Sequence, residues 1–213
     1  MMKLYGYWRS SASYRVRIAL ALKGIEAENI AVNLLNGEHK NIAHISRNPQ
    51  GFVPVLELSD GTQLTQSLAI LDYLDAVYPE PKLLSGEALL DAKIKAAALV
   101  IAADIHPLQN PSVFKHVRAE YGDETDEAKT WMQYWIIKGF KALEVTAQAY
   151  DTEFFMTDTP SLVDVCLVPQ VFNARRYGVD MAQFPRLNAL DEACRAVPAF
   201  MAAHPSRQKG ATI

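Results

Sequence analysis

The sequence predicts an α/β N-terminal domain followed by an all-α C-terminal domain. Strand-like and helical periods alternate up to about residue 77, and Tyr78-Pro79-Glu80-Pro81 then breaks the pattern with two prolines. Nearly everything downstream repeats apolar residues at helical spacing. Half of the 213 residues are apolar, enough for a substantial core. We place the domains at residues 1–80 and 87–213.

In chain order, Leu4–Trp8 reads as a first strand, and Val16, Ala19, Leu20 and Lys23 recur at helical spacing to predict a helix over Ser13–Lys23, stopped by Gly24. Glu28–Asn33 reads as a second strand, and a helical pattern lies around His39–Ser46. Strands over Val55–Leu58 and Gln63–Thr65 flank Ser59-Asp60-Gly61-Thr62, whose Asp-Gly step signals a tight hairpin and makes the two antiparallel neighbours. A helix over Ser67–Val77 completes a βαβ unit followed by ββα. The second domain holds helices near Leu89–His116, Asp126–Tyr150, Leu162–Tyr177 and Leu187–Ala196, and the tail Gln208–Ile213 is expected to be loose. Ser161-Leu162-Val163-Asp164 has capping-box spacing, which puts Asp164 against buried backbone N–H groups in a structural role.

Composition excludes several functions. With 21 basic and 24 acidic residues the net charge is −3, which leaves no electrostatic footprint for nucleic acid or an anionic membrane. The apolar stretch Ala96–Ala103 is broken by Asp104, well short of the roughly 20 residues that span a bilayer. Cys166 and Cys194 lie in apolar helical patterns, and the N-terminus lacks the basic-then-apolar layout of a signal peptide, which fits a reducing cytoplasm. No metal is expected.

Three segments carry candidate chemistry. Ser10 and Ser11 stand where a strand ends and a helix begins, and free N–H groups and the macrodipole favour an anion such as a thiolate there. The alternative is that Ser11 or Ser13 only caps the helix. In Asn48-Pro49-Gln50-Gly51-Phe52-Val53-Pro54-Val55 a proline directly precedes a strand; a cis turn would expose the Val53 backbone to a ligand, and an ordinary trans proline would not. Gln66 and Ser67 form a second strand-to-helix junction, again either an anion site or a cap, so that two serine-led helix starts can grip both ends of one ligand. Tyr5 and Tyr7 fall within the first strand and read as packing residues.

These residues resemble the zeta class of glutathione transferases, the group that includes maleylacetoacetate and maleylpyruvate isomerases. The resemblance runs from the first strand to about Arg207. It rests on Ser10-Ser11-Ala12-Ser13-Tyr14-Arg15-Val16-Arg17-Ile18-Ala19-Leu20, Gln66-Ser67-Leu68-Ala69-Ile70, His106-Pro107-Leu108-Gln109-Asn110 and Cys166-Leu167-Val168-Pro169-Gln170-Val171. It implies the glutathione transferase fold, a thioredoxin-like N-terminal domain with an all-helical C-terminal domain, and a homodimer that uses glutathione.

Residue by residue, the resemblance implies that Ser10 supports the glutathione thiolate with Ser11 beside it, that the Val53 backbone meets the cysteinyl part and that Pro54 is the cis-proline. Gln66 and Ser67 grip the γ-glutamyl end, and His39 reaches the glycyl carboxylate. His106, Asn110 and Ser112 form the second domain's wall of the site. Arg176 holds a substrate carboxylate, with Arg15 as a further substrate contact and Arg175 as a weaker candidate. The family often has cysteine where this chain has Ala12, so activities that use that cysteine are in question; isomerisation needs only the sulfur of glutathione.

The activity so implied is glutathione-dependent cis–trans isomerisation of maleylacetoacetate to fumarylacetoacetate in tyrosine and phenylalanine catabolism. The alternatives are maleylpyruvate isomerisation in gentisate catabolism, glutathione conjugation to α-halo acids, and a non-enzymatic interaction module on the same fold.

Overall fold

The computed structural model describes residues 1–121 and 126–212; Ile213, the end of the predicted tail, lies outside them. The chain divides into two compact units, Met1–Lys82 with Ala196–Ile213, and Leu83–Arg195.

The first unit is built on strands β1 (Met2–Gly6), β2 (Ala27–Ala31), β3 (Val55–Glu57) and β4 (Gln63–Thr65), ordered β2-β1-β3-β4. β1 runs parallel to β2, with Leu4 opposite Asn29, and antiparallel to β3, with Leu4 opposite Leu56. β3 and β4 form the predicted antiparallel pair. β1 ends two residues before the expected Trp8 because the next carbonyls leave the ladder: the Ser10 N–H donates to Tyr7 O at 3.0 Å and Arg17 Nη2 donates to Trp8 O at 3.0 Å.

Helices α1 (Ser11–Leu22) and α3 (Ser67–Val77) pack on each other, and the short α2 (Ile42–Ile45) lies in the loop between β2 and β3. The side chains of Leu4, Val16, Ile18, Val55, Leu56, Ile70, Leu71 and Leu74 are wholly or almost wholly removed from water. Removal of that apolar area from water supplies the dominant favourable term.

The C-terminal segment departs from expectation, because it packs on the first unit. Tyr14 Oη donates to Phe200 O at 3.4 Å, and Arg17 Nε donates to Ala203 O at 3.1 Å. Burial pushes the Arg17 guanidinium down to about 10. The tail is tied at Gln208, whose Nε2 donates to Ala202 O and His204 O at 3.0 and 3.1 Å.

The second unit is helical: α4 (Ala88–Leu99), α5 (Pro111–Tyr121), α6 (Glu127–Gln148), α7 (Leu162–Arg176) and α8 (Pro185–Ala196). The single helix expected over Leu89–His116 is interrupted by a π-helical stretch at Val100–Ile105 and a 3₁₀ turn at His106–Gln109. Pro107 and Pro111 each lack an N–H, and Asn110, directly before Pro111, leaves the helical region with ψ at 146°. The Ile105 side chain also presses so closely on Gly139 of α6 that a Cβ there would collide with it.

Asp164 behaves as the capping box predicts. Fully buried, it accepts from Phe155 N at 3.0 Å, Ser161 N at 2.9 Å and Ser161 Oγ at 2.8 Å. Glu144, also buried, closes the start of α8 by accepting from Arg186 N and Leu187 N at 2.9 and 3.0 Å. Among the described residues no helix is long and apolar enough to cross a membrane.

Candidate functional site

The start of α1 is capped by Ser10, not by Ser11 or Ser13: the Ser13 N–H donates to Ser10 Oγ at 3.2 Å. Accepting that bond leaves the Ser10 hydroxyl proton available to donate. Ser11 follows as the first helical residue and is 9% exposed. The Val53-Pro54 peptide is cis, as is Glu80-Pro81.

At the second junction Gln66 adopts φ 66° and ψ 113°, a region that costs a non-glycine residue about 1–3 kcal/mol and is retained mostly at functional sites. Its Nε2 donates to Gln50 Oε1 at 2.8 Å. Ser67 is the first residue of α3, and its Oγ accepts from Arg15 Nη1 at 3.2 Å. Arg15 is 2% exposed, so the two serine-led helix starts are linked by a buried charge-assisted hydrogen bond. This assigns Arg15 a structural bond to Ser67 in addition to any ligand contact. His39 lies in a 3₁₀ turn (Glu38–Lys40), where burial, reinforced by Lys40 and His44, holds its ring below the usual histidine range.

In the second unit His106 opens the 3₁₀ turn. Asn110 Oδ1 accepts from both Ser112 N and Ser112 Oγ at 2.8 Å, so this pair closes the first turn of α5. Buried Gln109 joins two residues of α7: its Nε2 donates to Gln170 Oε1 at 2.7 Å, and its Oε1 accepts from Asn173 Nδ2 at 2.8 Å. Arg175 and Arg176 separate cleanly. Both are exposed, but Arg175 is held by Asp191 at 2.6 Å and Asn188 at 2.8 Å, whereas the Arg176 guanidinium lies 5.0 Å from the centre of the Tyr177 ring.

No protein thiol competes for a nucleophile's role. Cys166 and Cys194 are buried and form no disulfide, and burial pushes the Cys194 thiol far up. Tyr5 and Tyr7 are buried, as packing residues should be. Among the described residues no cluster of three or more His, Cys, Asp or Glu could hold a metal ion.

Sequence reasoning does not single out Gln50, His44 or Asn48. His44 Nε2 and Asn48 Nδ2 each meet Phe52 O at 2.9 Å, and Asn48 Oδ1 accepts from Gln50 N at 3.1 Å. The signals were present in the Asn-Pro-Gln-Gly turn and in the four-residue spacing of His44 and Asn48 at the end of α2.

Residues 1–76 match the family model "Glutathione S-transferase, N-terminal domain". The chain is 43% identical over 209 residues to the maleylacetoacetate isomerase of Pseudomonas aeruginosa, covering 97% of each. Among solved structures it is similar to a bacterial maleylpyruvate isomerase of the zeta class (TM-score 0.95, 38% identity, 99% of this chain and 100% of that one). It is also similar to the maleylacetoacetate isomerase of Anaeromyxobacter dehalogenans with glutathione bound in its active site (TM-score 0.90, 41% identity, 100% of this chain and 98% of that one). Near-complete coverage at this identity extends the relationship through both units: the chain belongs to the zeta class of glutathione transferases, with the maleylacetoacetate and maleylpyruvate isomerases.

Proposed function

We propose that this protein is a glutathione-dependent cis–trans isomerase that converts maleylacetoacetate to fumarylacetoacetate, a step of tyrosine and phenylalanine catabolism. The observation that carries the reading is the pair of serine-led helix starts in the first unit, joined by the Arg15–Ser67 hydrogen bond and flanked by the strained Gln66. Two N-terminal helix ends favour negative charge at two points. That donor set fits a peptide with a thiolate in its middle and a carboxylate at its γ-glutamyl end.

Glutathione supplies a sulfur nucleophile, whose reversible addition to the conjugated cis double bond leaves a bond free to rotate before elimination gives the trans isomer. Ser10 donates its free hydroxyl proton to the sulfur, with Ser11 and the first N–H groups of α1 adding to the local positive potential. An unperturbed thiol has a pKa of about 8.5, so donors that favour the charged form raise the thiolate fraction at neutral pH. The Val53 backbone beside the cis Pro54 pairs with the cysteinyl portion, Gln66 and Ser67 hold the γ-glutamyl end, and His39 meets the glycyl carboxylate. His106, Asn110 and Ser112 are the further glutathione contacts that the family resemblance implies. Arg176, free of an ion pair among the described residues, takes the substrate carboxylate, and Arg15 contributes positive charge to it. The working form is a homodimer in the cytoplasm, where reducing conditions suit two buried cysteines that form no disulfide.

The test is isomerisation of maleylacetoacetate and of maleylpyruvate by the purified protein, with and without catalytic glutathione, while total thiol is followed. Turnover of maleylacetoacetate that requires glutathione and leaves its concentration unchanged is expected. Preference for maleylpyruvate would reassign the substrate, and stoichiometric loss of thiol with an α-halo acid but no isomerisation would make the protein a conjugating transferase. Light scattering of the eluted protein checks the dimer.

A further inference from the structure

The loop between β2 and β3 contains two buried side chains aimed at one carbonyl. His44 and Asn48 are each 3% exposed, and His44 Nε2 and Asn48 Nδ2 both lie 2.9 Å from Phe52 O. A carbonyl oxygen can only accept, so Nε2 of His44 carries a proton. His44 Nδ1 is buried and has no partner among the described residues, so a ring in the other tautomer would bury one unmet donor and lose the bond to Phe52.

The Phe52 carbonyl and the Val53 N–H belong to one trans peptide plane and point in opposite directions. Two donors on the oxygen therefore fix where the N–H points. Among the described residues nothing accepts from that N–H, although Val53 is half-buried. The same clamp reaches a second contact position: Asn48 Oδ1 holds Gln50 N, and Gln50 Oε1 accepts from the strained Gln66. Gly51 lets the loop close this tightly, with φ at +66° and a Cβ position 3.2 Å from both His39 O and Ile45 Cδ1.

We infer that His44, with Asn48, is a positioning residue for glutathione: by holding the Phe52 carbonyl it presents the Val53 N–H to the peptide backbone of the ligand, and through Gln50 it braces Gln66. The inference rests on the proposed glutathione site. It assigns His44 no part in activating the thiol, because its bond goes to the backbone and not to the residues at the start of α1.

The experiment compares His44→Phe, which keeps a ring and removes the donor, with His44→Gln, which keeps a donor on a flexible stem. Calorimetric binding of glutathione and of S-methylglutathione is measured for each, together with steady-state kinetics. In His44→Phe the Kd of both ligands should rise roughly three- to tenfold, a hydrogen-bond-sized loss. KM for glutathione should rise with it while kcat falls less, and His44→Gln should recover binding to within about twofold of the native protein. Equal loss for the methylated ligand marks a backbone contact, since that ligand has no ionisable sulfur. Native affinity in His44→Phe, or equal losses in both variants, would overturn the inference.

If the phenylalanine variant does not fold, nitrogen NMR of the native protein decides. A His44 ring protonated at Nε2 and a Val53 amide that shifts when S-methylglutathione is added are expected; an Nδ1–H tautomer or an unmoved Val53 amide would overturn the assignment. Failure of the native protein to bind glutathione at all would instead refute the proposed function.

Discussion

Replacing Ser10 by alanine removes a hydroxyl whose oxygen accepts from the Ser13 N–H at 3.2 Å and whose proton is left for a second partner. The first bond is at the long end of the usual range, so losing the cap should cost about 0.5–1 kcal/mol. In a chain of this size that lowers Tm by roughly 1–4 °C. The second bond, to a thiolate, is charge-assisted and contributes about 1.5–3 kcal/mol. At 1.36 kcal/mol per pKa unit, its loss raises the bound thiol by about one to two units and lowers kcat at neutral pH by roughly 10- to 150-fold. Thermal unfolding followed by circular dichroism reads the first effect, and the ultraviolet absorbance of the bound thiolate against pH reads the second. A fall in Tm with no displacement of the thiolate titration would refute the reasoning, reduce Ser10 to a cap and transfer thiol activation to Ser11 or the backbone N–H groups.

Arg176→Ala should raise KM for the carboxylate substrate roughly tenfold or more, with a smaller change in kcat, in line with loss of a charged hydrogen bond; unchanged steady-state kinetics would remove Arg176 from the site. Ser161→Ala should cost about 1–2 kcal/mol, and Asp164→Ala about 3–5 kcal/mol because it strands the Phe155 and Ser161 N–H groups in the interior. Denaturant titration gives both numbers, and kcat should stay native for Ser161→Ala. The folded state holds the His39 pKa below 6.5, chiefly by burial, so the unfolded chain takes up that proton first. Stability should therefore rise with pH through this range and be lost as pH falls below about 6.5, an increment that His39→Gln abolishes. Proton NMR titration of the His39 ring at or above 6.5 would contradict it.

Much of the first unit is legible because its signals are local. The Asp60-Gly61 step does specify the β3–β4 hairpin and Gly24 stops α1; in the second unit Ser161 with Asp164 likewise forms the capping box its spacing requires. What is not legible depends on contacts distant in sequence. Tyr7 and Trp8 continue the apolar pattern of β1, but their carbonyls are taken by Ser10 and Arg17. The residues from Val100 to Ile105 look helical, yet they form a wider, π-helical turn, and the close approach of Ile105 to Gly139 is a contact no periodicity reveals. The candidate site shows the same division. Ser10, Gln66 and Ser67 announce themselves at helix starts, whereas the value of Arg15 depends on Ser67, 52 positions away, and that of His44 on the direction of a backbone carbonyl.

The return of the C-terminal segment to α1 has a consequence for biogenesis. Tyr14 and Arg17 emerge from the ribosome early, yet each finds its carbonyl partner 186 positions later in sequence. At roughly 5–20 residues per second, the face of α1 that carries them waits about 10–40 s while the whole helical unit is made. Throughout that interval Arg17 is a cation with an unfinished shell and Tyr14 part of an uncovered apolar surface. Nascent chains stalled between Arg195 and Phe200 should accordingly expose a chaperone-accessible face on a first unit whose sheet is already complete in sequence.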